Sequence, residues 1–414
     1  MDQIRHIARA LKPAGTFLVV ISLIVVGPGL AGAFGKNPTL SFMLLGAFII
    51  HMGARPRKEE RLATLGLAAA FQTAYSTLAT GSTPYFGSVL INFGGFLGVA
   101  SLLVMFVRAW LCQDPSRQER WNVFLTASAL PYTWVIVAMC LGSIAKTPRS
   151  NDALLCAFDA SLGLLPSFSL GALIAGNPVL LGLTKTVYNA LPLGAAFVLA
   201  GWRRSSSRPV RVIPLYISMM ILGSFLYWLY PAAGPAYAFA GRFPGLPPQK
   251  LEILARPLAP FVAPRNAMPS LHFGAMLVLM WNSRAWRWPG RLAALGLSLG
   301  VAFATMALGE HYLVDLVVAF PFVASVQAAW TIAVPIASPR RYLPLAWGVL
   351  CTAAWLLALR FQVPAFVASS ALAWSAVLAT IAVSLALEWQ LSRVARKASG
   401  LRQEPSEDAI SVAA

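Results

Sequence analysis

Apolar runs of about twenty residues follow one another through most of the chain, parted by short segments that hold nearly all of its charge. A run of roughly 18 or more apolar residues reads as a membrane-crossing helix, because a helix satisfies its own backbone in hydrocarbon. Composition supports this: 11% of the residues are charged, where a soluble domain carries about 25%. The expected fold class is all-α, a polytopic bundle of membrane helices.

Twelve spans are expected, at roughly 15–34, 38–53, 62–82, 85–111, 122–145, 177–200, 212–231, 269–284, 290–309, 312–334, 341–359 and 363–389. The first is read as a retained helix, since no small-residue cleavage site follows it. The net charge of +18 would point to nucleic acid in a soluble protein. Here the cations cluster in alternate short loops: Arg55 to Arg61, Arg108 to Arg120, Arg203 to Arg211, Arg284 to Arg291, Arg340 and Arg341. With Arg5, Arg9 and Lys12 at the start and Arg393, Arg396, Lys397 and Arg402 at the end, they form the positive-inside pattern. That pattern puts both termini in the cytoplasm and gives no reason to expect a nucleic-acid partner. Cys112, Cys140, Cys156 and Cys351 show no pairing or metal spacing and read as small buried hydrophobes.

Residues 153–176 are apolar but hold Asp159 and Pro166. Counting them as a span would invert the later charge pattern, so they read as an interfacial or re-entrant piece on the extracytoplasmic side, with Asp159 solvated. Residues 232–268 form a long Pro- and Gly-rich extracytoplasmic loop; its Arg242, Lys250 and Arg256 read as headgroup contacts. The organisation expected is N-terminal membrane helices over 1–150, a catalytic core over 151–335, a C-terminal membrane hairpin over 336–392 and a disordered cytoplasmic tail over 393–414.

Two of the four histidines stand out. His272 in MPSLHFG opens the eighth expected span, and His311 in GEHYLVD closes the ninth. One helical hairpin therefore brings both to the same membrane face. Asp315 follows His311 by four residues, one helical turn on the same face. A carboxylate there can accept the Nδ1 proton and leave Nε2 as nucleophile or base. Ser270 and the open N–H groups of that helix start can hold an anion, and Arg265 can pair with phosphate oxygens. Lys185, inside the sixth expected span near Tyr188 and Asn189, is either a functional cation or a snorkelling one. Glu310 is expected on another helix face. These groups suit phosphoryl transfer, which asks mainly for positioning and charge stabilisation.

PSLH at 269–272 and GEHYLVD at 309–315 resemble the second and third signatures of the type 2 phosphatidic acid phosphatase superfamily. Arg265 to His272 with Gly309 to Asp315 is most similar to its inositol phosphorylceramide synthase-like, inositolphosphotransferase branch. The His-Tyr-x-x-Asp form is shared with sphingomyelin synthases. The resemblance implies a six-helix catalytic core, attack by His311 on phosphorus to give a phosphohistidine, orientation by Asp315, and protonation of the leaving oxygen by His272. It implies no metal and no cofactor. Leu271 stands where the lipid phosphatases have Gly, and Thr305 where they have Arg. The nearest text to their first signature is Lys250 to Arg256-Pro257, one residue short.

The expected activity is transfer of a phosphate-linked head group between lipids outside the cytoplasm. The substrate would be a membrane phospholipid or lipid phosphate, and the acceptor a lipid or polyol. Alternatives are a phosphatase acting on a lipid phosphate or polyprenyl diphosphate, and a non-enzymatic lipid transporter.

Overall fold

The computed structural model describes residues 38–78, 89–112, 115–144, 150–204, 209–245 and 261–401 of the 414-residue chain. The expected first span, Lys250, Arg256 and the segment after Leu401 lie outside these residues. All regular structure among the described residues is helical, with no strand. The helices are α1 (Pro38–Gly53), α2 (Lys58–Leu78), α3 (Val89–Leu111), α4 (Arg117–Ile144), α5 (Asp152–Ser161), α6 (Pro166–Ala175), α7 (Pro178–Asn189) and α8 (Leu191–Arg204). They continue with α9 (Val212–Leu229), α10 (Pro235–Ala238), α11 (Leu271–Asn282), α12 (Trp288–Ala307), α13 (Leu313–Trp330), α14 (Pro339–Phe361), α15 (Val363–Ala368) and α16 (Ser370–Leu401).

Six helices among the described residues are long and apolar enough to cross a membrane, in α3, α9, α12, α13, α14 and α16. The expected count of twelve is not confirmed. Helix α1 is apolar but only 16 residues long. Helix α2 has the length but interrupts its apolar residues with Gln72, Thr73, Ser76 and Thr77. The expected span 177–200 is broken at Ala190 between α7 and α8. Pro192 is the reason on offer in the sequence: it lacks an N–H and disfavours helix in the residue before it.

The segment 153–176 is α5 followed by α6, bent by 94° at Leu162–Leu165. Gly163 at φ +76° and Pro166 at the first turn of α6 account for the break and the restart. A bent pair of this kind is either a broken span or a re-entrant loop. The expected disordered tail needs correction, since α16 continues to Leu401.

Helix α13, LVDLVVAFPFVASVQAAW, is apolar on every face, and a helix of that kind belongs inside a bundle. Of its 18 residues 78% are buried. One side (Leu316, Ala319, Phe322, Val323) joins a core with α8, α9 and α11. The other (Val314, Val317, Val318) joins a core with α5, α14 and α16. Lipid is as apolar as leucine, so such contacts hold through close packing rather than escape from water. Closeness is extreme where α1 meets α3: a Cβ on Gly98 would lie 1.9 Å from the Leu44 carbonyl oxygen.

Candidate active site

The hairpin of α11, a short 3-10 turn (Ser283–Ala285) and α12 returns the chain to its starting level. It sets His272, on the first turn of α11, beside His311, in the loop between α12 and α13. Their ring centroids are 5.6 Å apart at 62°. The far side of His272 is covered by Tyr188 of α7, stacked at 4.5 Å and 23°. In this way the histidine pair is held by packing as well as by hydrogen bonds.

His311 is 1% exposed. Its Nδ1 is 2.9 Å from the Ala267 carbonyl oxygen and 3.4 Å from Asp315 Oδ2. Both neighbours are acceptors, so the proton belongs on Nδ1 and the lone pair on Nε2. Among the described residues Nε2 has no hydrogen-bond partner. Burial lowers the His311 pKa to about 4, with the Ala267 carbonyl acting the other way, so the imidazole is neutral near pH 7.

This corrects the expected His311–Asp315 turn. His311 precedes the helix, which begins at Leu313, so the two side chains do not stack along one helical face. The Asp315 carboxylate accepts the Tyr312 N–H at 2.7 Å and closes the helix start. The Ala267 carbonyl is the nearer partner of the ring. Asp315 is fully buried, which suits orienting a neighbour rather than meeting solvent.

Ser270 is the N-cap of α11: its Oγ accepts the Phe273 N–H at 3.2 Å, and its own N–H donates to the Asp315 carbonyl at 3.1 Å. The PSLH turn and the HYLVD turn are therefore joined through backbone. Arg265 lies in the same strap, 1% exposed. Its Nη2 donates to the Phe261 carbonyl at 2.9 Å, and its guanidinium lies 3.9 Å over the Phe261 ring. Lys185 is half-buried on α7, one turn before Tyr188, and its ammonium makes no ion pair among the described residues.

Two aspartates frame the site; the sequence reading preferred a solvated Asp159 to one facing the site. Asp159 is 1% exposed and not solvated as expected. Its carboxylate accepts the N–H groups of Leu313 at 2.7 Å and Val314 at 3.1 Å. It thus satisfies two of the open donors at the start of α13. Asp152 was not singled out at all. It accepts from the N–H groups of Ala233 and Gly234 at 2.8–3.1 Å and from the Tyr312 hydroxyl at 2.9 Å. In that strand of loop Gly234 has φ +101°, and a Cβ there would lie 2.4 Å from the Glu310 carbonyl oxygen, so only glycine fits.

Glu310 stands in the loop between α12 and α13, not on a helix face. Tyr237 donates its hydroxyl to Glu310 Oε1 at 3.0 Å. Burial raises the Glu310 pKa to about 7, with the Tyr237 hydrogen bond opposing. Ser167 of α6 donates to the His311 carbonyl at 2.8 Å, and the N–H groups of Glu310 and His311 reach the Thr305 carbonyl at 3.0 and 3.2 Å. The bent pair α5–α6, the segment between α9 and α11, and the α12–α13 loop thus converge on one histidine.

Residues 153–330 match the family model described as the PAP2 superfamily. That segment holds both histidines, Asp159 and Asp315, and it makes this a membrane-bound lipid enzyme of the phosphatase or phosphotransferase type. The match covers less than half of the chain and leaves α1–α4 and α14–α16 outside it. No curated protein and no solved structure gives a match.

Proposed function

We propose that the chain is a lipid phosphotransferase that moves a phosphate-linked head group between lipids through a phosphohistidine on His311, similar to the inositol phosphorylceramide synthases. The observation that carries this reading is the state of His311: Nδ1 is committed to the Ala267 carbonyl and Nε2 has no partner among the described residues. Nε2 attacks phosphorus and the bond to the leaving oxygen breaks. His272 gives that oxygen its proton. A phosphate anion brought to the rings favours the protonated form of His272, since an opposite charge nearby stabilises the cation. In the second step the acceptor hydroxyl returns a proton to His272, attacks phosphorus and frees His311. Arg265, Ser270 and Lys185 are assigned to the phosphate, by charge or by donation, and the reaction is placed at the extracytoplasmic face by the cation pattern of the loops.

Water in place of the acceptor would make the same phosphoenzyme a phosphatase. The burial of His311 supports transfer, because an enclosed site withholds water from the intermediate. The test is incubation of the purified protein with a panel of head-group-labelled phospholipids, followed by mass spectrometry of the lipids. A new phosphodiester lipid, absent with His311→Ala and reduced about 10²–10⁴-fold with His272→Ala, is the expected result. Free phosphate as the sole product would replace transfer by hydrolysis. Unaltered activity in His311→Ala would remove the reading altogether.

A further inference from the structure

At the other end of the bundle a second site is built mainly from α1–α4, outside the PAP2 segment, with Arg203 of α8 contributed from within it. Thr39, near the start of α1, hydrogen-bonds Asn189 beside the histidine level, and Gly53, at its end, packs on Ala200 of α8. Fourteen residues of helix at 1.5 Å each put Gly53 about 20 Å away from that level. Around this far end lies a cavity of about 500 Å³, lined by five arginines (Arg55, Arg57, Arg108, Arg120 and Arg203) against two glutamates, Glu60 and Glu119.

The glutamates do not balance the arginines. Glu60 takes Arg108 at 2.7 Å and Arg120 at 3.5 Å, and Glu119 pairs with Arg203. Arg55 and Arg57 make no ion pair among the described residues, and the lining keeps an excess of three positive charges. A buried polar group also faces the cavity: His51 is 3% exposed, and its Nδ1 has no hydrogen-bond partner among the described residues. A buried imidazole nitrogen left without a partner is costly unless something else supplies one.

A second cavity of about 500 Å³ adjoins it and shares Arg57, Glu60, Val104 and Arg108. Its other walls are the exposed Glu59 at the rim and the apolar side chains of Ala63, Leu67, Leu103 and Val107 of α2 and α3. Leu67, Leu103 and Val107 are 38–47% exposed, and α3 is one of the candidate membrane spans. A cationic pocket running into an apolar groove on a membrane helix has the shape and polarity of a phospholipid.

We infer that this pocket and groove bind an anionic phospholipid, its phosphate among Arg55, Arg57 and Arg108 and one acyl chain along Leu67, Leu103 and Val107. The site lies at the end of the molecule remote from His272 and His311, and binding there is separate from turnover.

The test uses the full chain in phosphatidylcholine nanodiscs with a minor share of phosphatidylglycerol, and counts retained phosphatidylglycerol by native mass spectrometry. Two soluble arms lack the chains: glycerophosphoglycerol, with the same single negative charge, and inorganic phosphate, with at least that charge. Wild type retains the lipid, and the exposed pair Arg55→Gln/Arg57→Gln lowers retention at least tenfold. The matched pair Arg117→Gln/Arg287→Gln, which removes the same charge outside the pocket, leaves it intact. The soluble arms bind at least tenfold more weakly than the lipid. No retention by wild type, an equal loss in both double variants, or equal affinity for a soluble arm would each overturn the proposal. A third variant, Leu103→Asp, places a charge in the groove without touching the arginines, and it also releases the lipid.

Discussion

The proton on His311 Nδ1 is fixed by a main-chain oxygen, and that has a consequence for the nearby carboxylate. In Ser-His-Asp enzymes an Asp→Asn change costs about 10⁴ in kcat because the imidazole turns to the wrong tautomer. Here the Ala267 carbonyl at 2.9 Å keeps the tautomer whatever stands at 315. Asp315→Asn should therefore cost less than His272→Ala in single-turnover assays, and a loss as deep as that of His311→Ala would show that the carboxylate, not the carbonyl, directs the ring. A second residue-scale expectation concerns Glu310. With its pKa raised to about 7 by burial, the folded protein holds a proton that the unfolded chain releases at lower pH. Stability then falls as pH rises through about 7. His311, lowered to about 4, acts at the other end, since the unfolded chain takes up its proton first and stability falls as pH drops below about 6.5. Between pH 6.5 and 8 Glu310 acts in the same direction as Asp159, whose pKa burial raises to about 8: Tm should decline over that range in wild type and decline less in Glu310→Gln. The histidines, Ser270 and Arg265 were legible from motif and spacing. The Ala267 carbonyl was not, because sequence does not record where a loop carbonyl points, and Asp152 was missed because its partners are backbone groups of a loop some 80 residues on.

Helix α13 starts inside the protein, where its open N–H groups have no water to turn to, and Asp159 from α5 answers two of them. Removing that carboxylate leaves buried donors unpaired. Asp159→Ala should lower stability by about 2 kcal/mol. It should also lower kcat, because α13 carries Asp315 and its first turn sets the His311 loop. Asp159→Asn keeps one acceptor and should fall between. Equal thermal midpoints for wild type and Asp159→Ala in the same detergent would show that the cap is not needed. The long apolar elements were legible as runs, and a departure of 153–176 from a straight span was suggested by the charge pattern on either side of it. The break at Ala190 was written in Pro192 but outvoted by apolarity over the expected span 177–200. Asp159 looked solvated because a carboxylate in an interfacial segment ordinarily is; its burial depends on a helix that begins some 150 residues later in the chain.

The molecule has two chemically different ends. One gathers the histidines, the capping aspartates and the Tyr237–Glu310 pair; the other gathers Arg55, Arg57, Arg108, Arg120, Arg203 and, past α11, Arg284 and Arg287. Arg284 is bound to Glu388 of α16 at 2.6 Å, with the Glu388 carboxylate 1% exposed, so the C-terminal helix is tied to this second end. The charge asymmetry is the physical basis for assigning sides, because cationic loops resist transfer across the membrane and stay on the cytoplasmic face. The assignment predicts where a reagent can reach. In a background with the four cysteines replaced by alanine, Gly241→Cys sits on an exposed turn at the histidine end, and Arg287→Cys is exposed at the arginine end. A membrane-impermeant maleimide added to intact cells should label the first and leave the second until the membrane is opened. The opposite order would turn the molecule over: the phosphohistidine chemistry would then face the cytoplasm, and the arginine pocket would face outward, against the charge rule that the loops obey.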